Sequence, residues 1–173
     1  MKTLVKVLDG GWSAWRAAGL PVRPGREHRA PSSFQGAPRE RCRVLLSDNP
    51  LALPLLDARD PARYRGENEP IDPRAGHIPG ARNHYWRLNL EADGRFLSPT
   101  AITEAFVTSF GKLPDATTVH YCGSGVTACH NALAQVHAGL PEPRLYCGSW
   151  SEWCRDPLRP AAVGGYAQAS TVE

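Results

Sequence analysis

Five cysteines are the residues best able to do chemistry in this chain: Cys42, Cys122, Cys129, Cys147 and Cys154. Their number is odd and no pair is spaced Cys-x2-Cys, so neither a disulfide framework nor a zinc site is expected. Cys122 stands apart by its surroundings. In "VHYCGSGVTACHNALA" it ends an apolar run, and a loop of small residues and a helix-like stretch follow it. Without bulk in "GSG", successive backbone N–H groups can curl around the sulfur. The helix N-terminus adds partial positive charge. Both effects favour the thiolate, which is the nucleophilic form of cysteine.

Other loops of this general shape do not fit. A nucleotide-binding loop needs Gly-x4-Gly-Lys-Ser/Thr, and there is no lysine. A phosphatase loop needs an arginine to clamp a dianion six residues after the cysteine, where this chain has Ala128. A thiol-protease dyad needs a histidine base, and neither His120 nor His130 is well placed for it by sequence. What remains is a cup of N–H donors suited to one extra atom of diffuse negative charge, such as the outer sulfur of a persulfide.

The flanking segments alternate between strand and helix. "LALPLLDAR" (51–59) reads as an apolar strand ending in a polar turn. Asp60 caps a helix that opens with Pro61. Residues 67–83 carry four helix breakers or turn formers and read as mostly loop. Ser98 and Pro99 open an amphipathic helix with Ile102, Phe106 and Phe110 four apart, closed by Gly111. "TTVHY" (117–121) is a strand, 126–139 a helix ended by Gly139, and "RLY" (144–146) a last strand. This alternation predicts an α/β fold with a mainly parallel sheet.

"LLDARDPARYRGENEPIDPRAGHIPGARN", "CGSGVTACHNALA" and "LYCGSWSEWC" together resemble the rhodanese family of sulfurtransferases, in particular the catalytic C-terminal domain of its two-domain type. The likeness runs from about Leu51 to Pro160. It implies a rhodanese-like parallel sheet flanked by helices, and a double displacement in which sulfane sulfur passes to Cys122 and on to cyanide or a thiol. It assigns Gly123, Ser124, Gly125, Val126 and Thr127 to the active-site loop. Family loops with Gly and Ser after the cysteine favour 3-mercaptopyruvate over thiosulfate, and the absence of loop cations agrees. Arg63 matches the family's anion-binding arginine, Arg74 is the counterpart of a second one, and Asp57 and Arg59 are expected to pin the loops. Ser124 matches a serine that works with a histidine and an aspartate of the N-terminal domain, which lie outside this sequence. Neither a cofactor nor a metal is implied. The alternative is a truncated, non-catalytic module that binds or carries sulfur.

"VLDGGWSAW" (7–15) repeats "LYCGSWSEW" (145–153), with Gly10/Gly148, Trp12/Trp150, Ser13/Ser151 and Trp15/Trp153 in register. The expectation is that residues 1–22 are the tail of a truncated upstream rhodanese-like domain. Residues 23–43, with six arginines and three prolines, read as a linker, 44–164 as the catalytic domain and 165–173 as a tail. An uncovered inter-domain face predicts exposed apolar area and self-association. Cys129 is expected in the core, since free cysteine is usually buried, and Cys42 and Cys154 are expected to be structural or incidental. His77 reads as a residue that fixes its loop. Over 173 residues the net charge is only +3 with arginines scattered among acids, which argues against nucleic acid as a partner. There is no apolar run long enough for a membrane span, and the cysteine usage points to the cytoplasm.

Overall fold

The structure is a computed structural model that describes residues 6–165 except 34 and 38. Five parallel strands form one sheet: β1 (Arg43–Val44), β2 (Leu55–Asp57), β3 (Arg82–Asn83), β4 (Val119–Tyr121) and β5 (Arg144–Tyr146). Their order is β1-β5-β4-β2-β3. The helices are α1 (Gly11–Ala17), α2 (Pro61–Arg65), α3 (Pro99–Phe110), α4 (Val126–His137) and α5 (Ser149–Trp153).

Period-two alternation sorts the strand residues between two cores. Leu55, Val119 and Tyr121 join Val44, Ile78, Tyr146, Trp150 and Trp153 on the α5 side. Leu56 meets Ile102, Phe106 and Phe110 of α3 and Ala134 of α4 on the other. Both faces are therefore covered, as an all-parallel sheet requires. The expected caps are present. The Asp60 side chain accepts the Ala62 amide, the Ser98 side chain accepts the Ala101 amide, and Gly111 ends α3 at φ 79°.

Strand β3 lies in the stretch read as mostly loop, and β1 straddles the boundary drawn between linker and catalytic domain. Each is only two residues long, so neither could show a periodicity. In the apolar run that leads into the first tryptophan repeat, residues 6–8 form no strand.

The tryptophan repeat is structural as well as sequential. Gly11 and Ser149 occupy the same repeat position and share a left-handed backbone, φ 55° and 54°. Trp15 Nε1 donates to the Pro21 carbonyl at 3.1 Å, as Trp153 Nε1 does to Pro160 at 2.8 Å. The copies differ in what they pack against. Trp150 is 0 % exposed and donates to the Arg74 carbonyl, whereas Trp12 is 60 % exposed and α1 buries none of its residues. Val7, Leu8, Leu20 and Val22 are exposed beside it.

Candidate active site

The chain steps from β2 to β3 in one direction and then to β4 on the opposite side of β2. The carboxyl ends of β2 and β4 therefore flank a topological switch point, where open α/β sheets hold their ligands. Both ends carry polar or reactive residues. β2 leads into Asp57-Ala58-Arg59-Asp60, and β4 leads into Cys122.

At the end of β2, Asp57 and Arg59 are buried as a pair. The Asp57 carboxylate accepts the Arg59 amide at 2.9 Å and its Nη2 at 2.7 Å. Arg59 Nη2 also donates to the Gly76 carbonyl at 2.7 Å, and its guanidinium stacks 5.0 Å over Trp150. Burial alone would lower the Arg59 pKa, but the Asp57 charge and hydrogen bonds more than offset it, so the cation persists. Asn83 donates to the carbonyls of both Asp57 and Arg59 at 2.8 and 2.9 Å, tying β3 to the same turn. His77 fixes its loop as expected: Nδ1 lies 2.7 Å from the Tyr64 carbonyl, and the ring stacks on Tyr64 at 3.8 Å.

The short α2, held by its Asp60 cap and Pro61, presents Arg63. Its Nη2 donates to Glu69 at 2.7 Å and to Asp72 at 3.1 Å, and its Nε bonds both Glu69 oxygens. Nη1 has no partner among the described residues. It lies 3.6 Å from the point where a Cβ on Gly123 would stand, an ordinary contact distance that sets the guanidinium against the loop. Glu69 also accepts Arg59 Nη1 at 3.3 Å and the amides of Ile71 and Asp72. Burial alone would raise its carboxyl. The Arg63 hydrogen bond and the two amides outweigh that and hold it below the usual carboxylate range. Asp72 in turn accepts Ser151 Oγ at 2.6 Å.

The loop after β4 is anchored from below by α5. The Cys122 amide donates to Ser149 Oγ at 3.1 Å, and the carbonyls of Cys122 and Gly123 accept the amides of Trp150 and Ser151 at 3.0 and 2.9 Å. Gly125 caps α4 at φ 86°, where a Cβ would fall 2.8 Å from the Cys147 carbonyl oxygen. The N–H groups of Gly123, Ser124 and Gly125 have no hydrogen-bond partner among the described residues. Those of Val126, Thr127 and Ala128 belong to the first helical turn and have no intrahelical acceptor. Six consecutive amides in the chain after one cysteine are thus unspent.

Cys122 is only 2 % exposed, yet it opens onto a cavity of about 250 Å³. The cavity is lined by Gly123, Ser124, Val126 and Thr127 of the loop, by Arg59, Asp60 and Arg63, and by Tyr85 and Trp86. Of the residues singled out in the sequence, Gly125 stands behind the lining as the helix cap. Arg74 does not line this cavity: its Nη1 donates to the Arg159 carbonyl at 2.7 Å. Cys129 is exposed, contrary to its reading as a core residue, because its place on α4 turns it to the surface. Sequence reasoning missed Tyr85 and Trp86, which follow β3 in a stretch with no helical or strand periodicity.

His120 and His130 do not reach the cavity. His120 is fully buried against Gln135 at 2.8 Å, and His130 packs between Trp86 and Phe96. Among the described residues no cluster of metal-ligating side chains occurs, and no helix is long and apolar enough to cross a membrane.

The domain is thus a parallel α/β sheet with a cysteine and a free-amide loop at its switch point. Residues 40–156 match the rhodanese-like domain family, and the chain belongs to it. It is 50 % identical over 167 residues to a Pseudomonas aeruginosa protein described as "probable 3-mercaptopyruvate sulfurtransferase", covering 92 % of this chain and 58 % of that protein. It is 35 % identical to human 3-mercaptopyruvate sulfurtransferase, over 86 % of this chain and 52 % of the relative. The structure of 3-mercaptopyruvate sulfurtransferase from Leishmania major superposes with a TM-score of 0.72 at 34 % identity, covering 88 % of this chain and 44 % of that one. The chain spans about half the length of the curated relatives it matches.

Proposed function

We propose that this chain is a sulfurtransferase that carries sulfane sulfur on Cys122, taken from 3-mercaptopyruvate in preference to thiosulfate. The observation that carries the reading is Cys122 at the floor of a small cavity, followed by six amides without acceptors. The Cys122 thiolate attacks the donor sulfur. The carbon–sulfur bond breaks, its electron pair leaves as the pyruvate enolate, and the enolate takes a proton to become pyruvate. The amides from Gly123 to Ala128 steady the anionic outer sulfur, and cyanide or a thiol then removes it.

The charge balance at the cavity favours the keto acid. Arg59 and Arg63 are opposed by Asp57, Asp60, Glu69 and Asp72, which leaves no surplus of positive charge for a dianion. The unpartnered Nη1 of Arg63 offers one donor edge to a single carboxylate. The relatives named for 3-mercaptopyruvate agree with this donor. Five free thiols suit a reducing, cytoplasmic compartment. The tryptophan repeat supports reading residues 6–22 as the closing turn of a second, similar body.

Incubating the full chain with each donor and weighing it intact tests the reading. The expected result is a gain of one sulfur from 3-mercaptopyruvate, removed by cyanide and absent in Cys122→Ser. No gain from either donor would falsify the sulfurtransferase reading and leave a binding module.

A further inference from the structure

Two thiols outside the cavity flank the loop that carries Cys122. The β4–β5 register pairs His120 with Leu145. Two residues further along each strand come Cys122 and Cys147; the ladder does not continue there, since the Cys122 carbonyl accepts the Trp150 amide, and Cys147 meets the loop at Gly125. Gly125 connects this position to Cys129. A Cβ on Gly125 would fall 3.5 Å from the Cys147 Cα, and the Gly125 carbonyl accepts the Cys129 amide at 3.3 Å. Cys129 thus stands one helical turn above Gly125, and side chains on a helix lean toward its N-terminus, here back toward Cys147. Both Cys129 and Cys147 are exposed, whereas Cys122 is buried. Burial first, and then the nearby Cys147 and Cys122 sulfurs, push the Cys129 thiol up. Raised in this way, Cys129 supplies little thiolate of its own.

We propose that Cys129 and Cys147 form a reversible disulfide across Gly125, made by exchange with a low-molecular-weight disulfide. The Cys147 thiolate attacks one sulfur of that disulfide, its S–S bond breaks, and one thiolate leaves. Cys129 then gives up its proton and attacks the Cys147 sulfur of the mixed disulfide, releasing the second thiolate. Two cysteines are oxidised, and one disulfide is reduced to two thiols. An excess of thiol runs the steps backwards. The bridge ties the first turn of α4 to the β5–α5 turn. The Cys122 loop lies between these two anchors, so bridging restrains the segment whose amides must receive sulfur. Only this last consequence rests on the sulfurtransferase reading.

The test treats the full chain with oxidised glutathione, alkylates the remaining thiols, and maps the cross-links by peptide mass spectrometry. The expected product is a Cys129–Cys147 cross-link, with intact mass lowered by two hydrogens and Cys122 alkylated. It forms equally in Cys122→Ser, which separates it from sulfur transfer. Cys147→Ser forms no bridge and still loads sulfur at the wild-type rate. The bridged chain loads sulfur severalfold more slowly, and a thiol reductant restores the rate. A cross-link through Cys122, a glutathione adduct that never closes, or no cross-link at all overturns the proposal. A bridge that leaves the loading rate unchanged overturns the restraint of the loop. If wild type takes up no sulfur but still bridges, the function fails and the disulfide stands.

Discussion

Glu69 shows how one residue can govern a site without touching the reacting atoms. It holds Arg63 through three contacts and reaches Arg59 as well, so two guanidinium groups take their places from one carboxylate. Charge-assisted bonds of this kind are among the stronger polar contacts. In Glu69→Gln the shape is kept and the charge is lost, which frees Arg63 to move off Gly123. The expected outcome is a KM for 3-mercaptopyruvate raised about tenfold, on the order of 1.4 kcal/mol of binding, with kcat nearly unchanged. A steady-state assay reads it, and partial recovery in Glu69→Asp separates lost charge from lost folding. The carboxyl is held below its ordinary range, so its contribution is complete above the ordinary carboxylate pKa. It is lost only as the pH falls through the lowered value. Cys122, its loop and Arg63 were legible in the sequence because they sit in dense local motifs. Glu69 was not, since its importance comes from contacts made across a turn-rich loop.

At the scale of elements, the Cys122 loop depends on how α5 begins. Ser149 takes a left-handed backbone at φ 54°, which costs a non-glycine residue about 1–2 kcal/mol. Its hydroxyl offsets that cost by accepting the Cys122 amide at 3.1 Å and donating to the Tyr146 carbonyl at 2.8 Å. Ser149→Ala keeps the strained backbone and loses both bonds, for a loss of about 1–3 kcal/mol. Ser149→Gly loses the same bonds but relieves the backbone. Urea unfolding should therefore rank the chains Ser, then Gly, then Ala, and equal midpoints for Gly and Ala would show that the backbone carries no strain. Gly11, at the same place in the first repeat, already takes the relaxed option. The helices α2 and α3 could be read because each carries its own start signal, Asp60–Pro61 and Ser98–Pro99, and α4 from the glycine that ends it, Gly139. β1 and β3 could not, because a strand of two residues is defined by its neighbours in the sheet and by nothing local.

Across the whole molecule, two buried histidines join the sheet to the helices on one face. His84 lies between Ser109 of α3 at 2.6 Å and Asn89 at 2.9 Å, and stacks on Phe106. His120 bonds Gln135 of α4, whose amide reaches the carbonyls of Asp115 and Pro141. Burial dominates at both positions and pushes each imidazole down to about 4, against the opposing pull of Asn89 on His84 and Gln135 on His120. The unfolded chain protonates both near its ordinary value of about 6.5, whereas the folded chain resists until about 4. Stability is therefore full above the unfolded value and falls as the pH drops between these limits. The slope approaches about 1.4 kcal/mol per pH unit for each histidine. Urea midpoints should decline steadily from pH 7 to pH 5, a window in which the Glu69 pairing is still intact. In His120→Gln the decline should become shallower by one site's share, with His84 and the burial-lowered His77 and His130 carrying the rest. A midpoint independent of pH over this window would mean that the two rings are not held neutral by the fold, and that the His84–Phe106 and His120–Gln135 contacts do not set its acid limit.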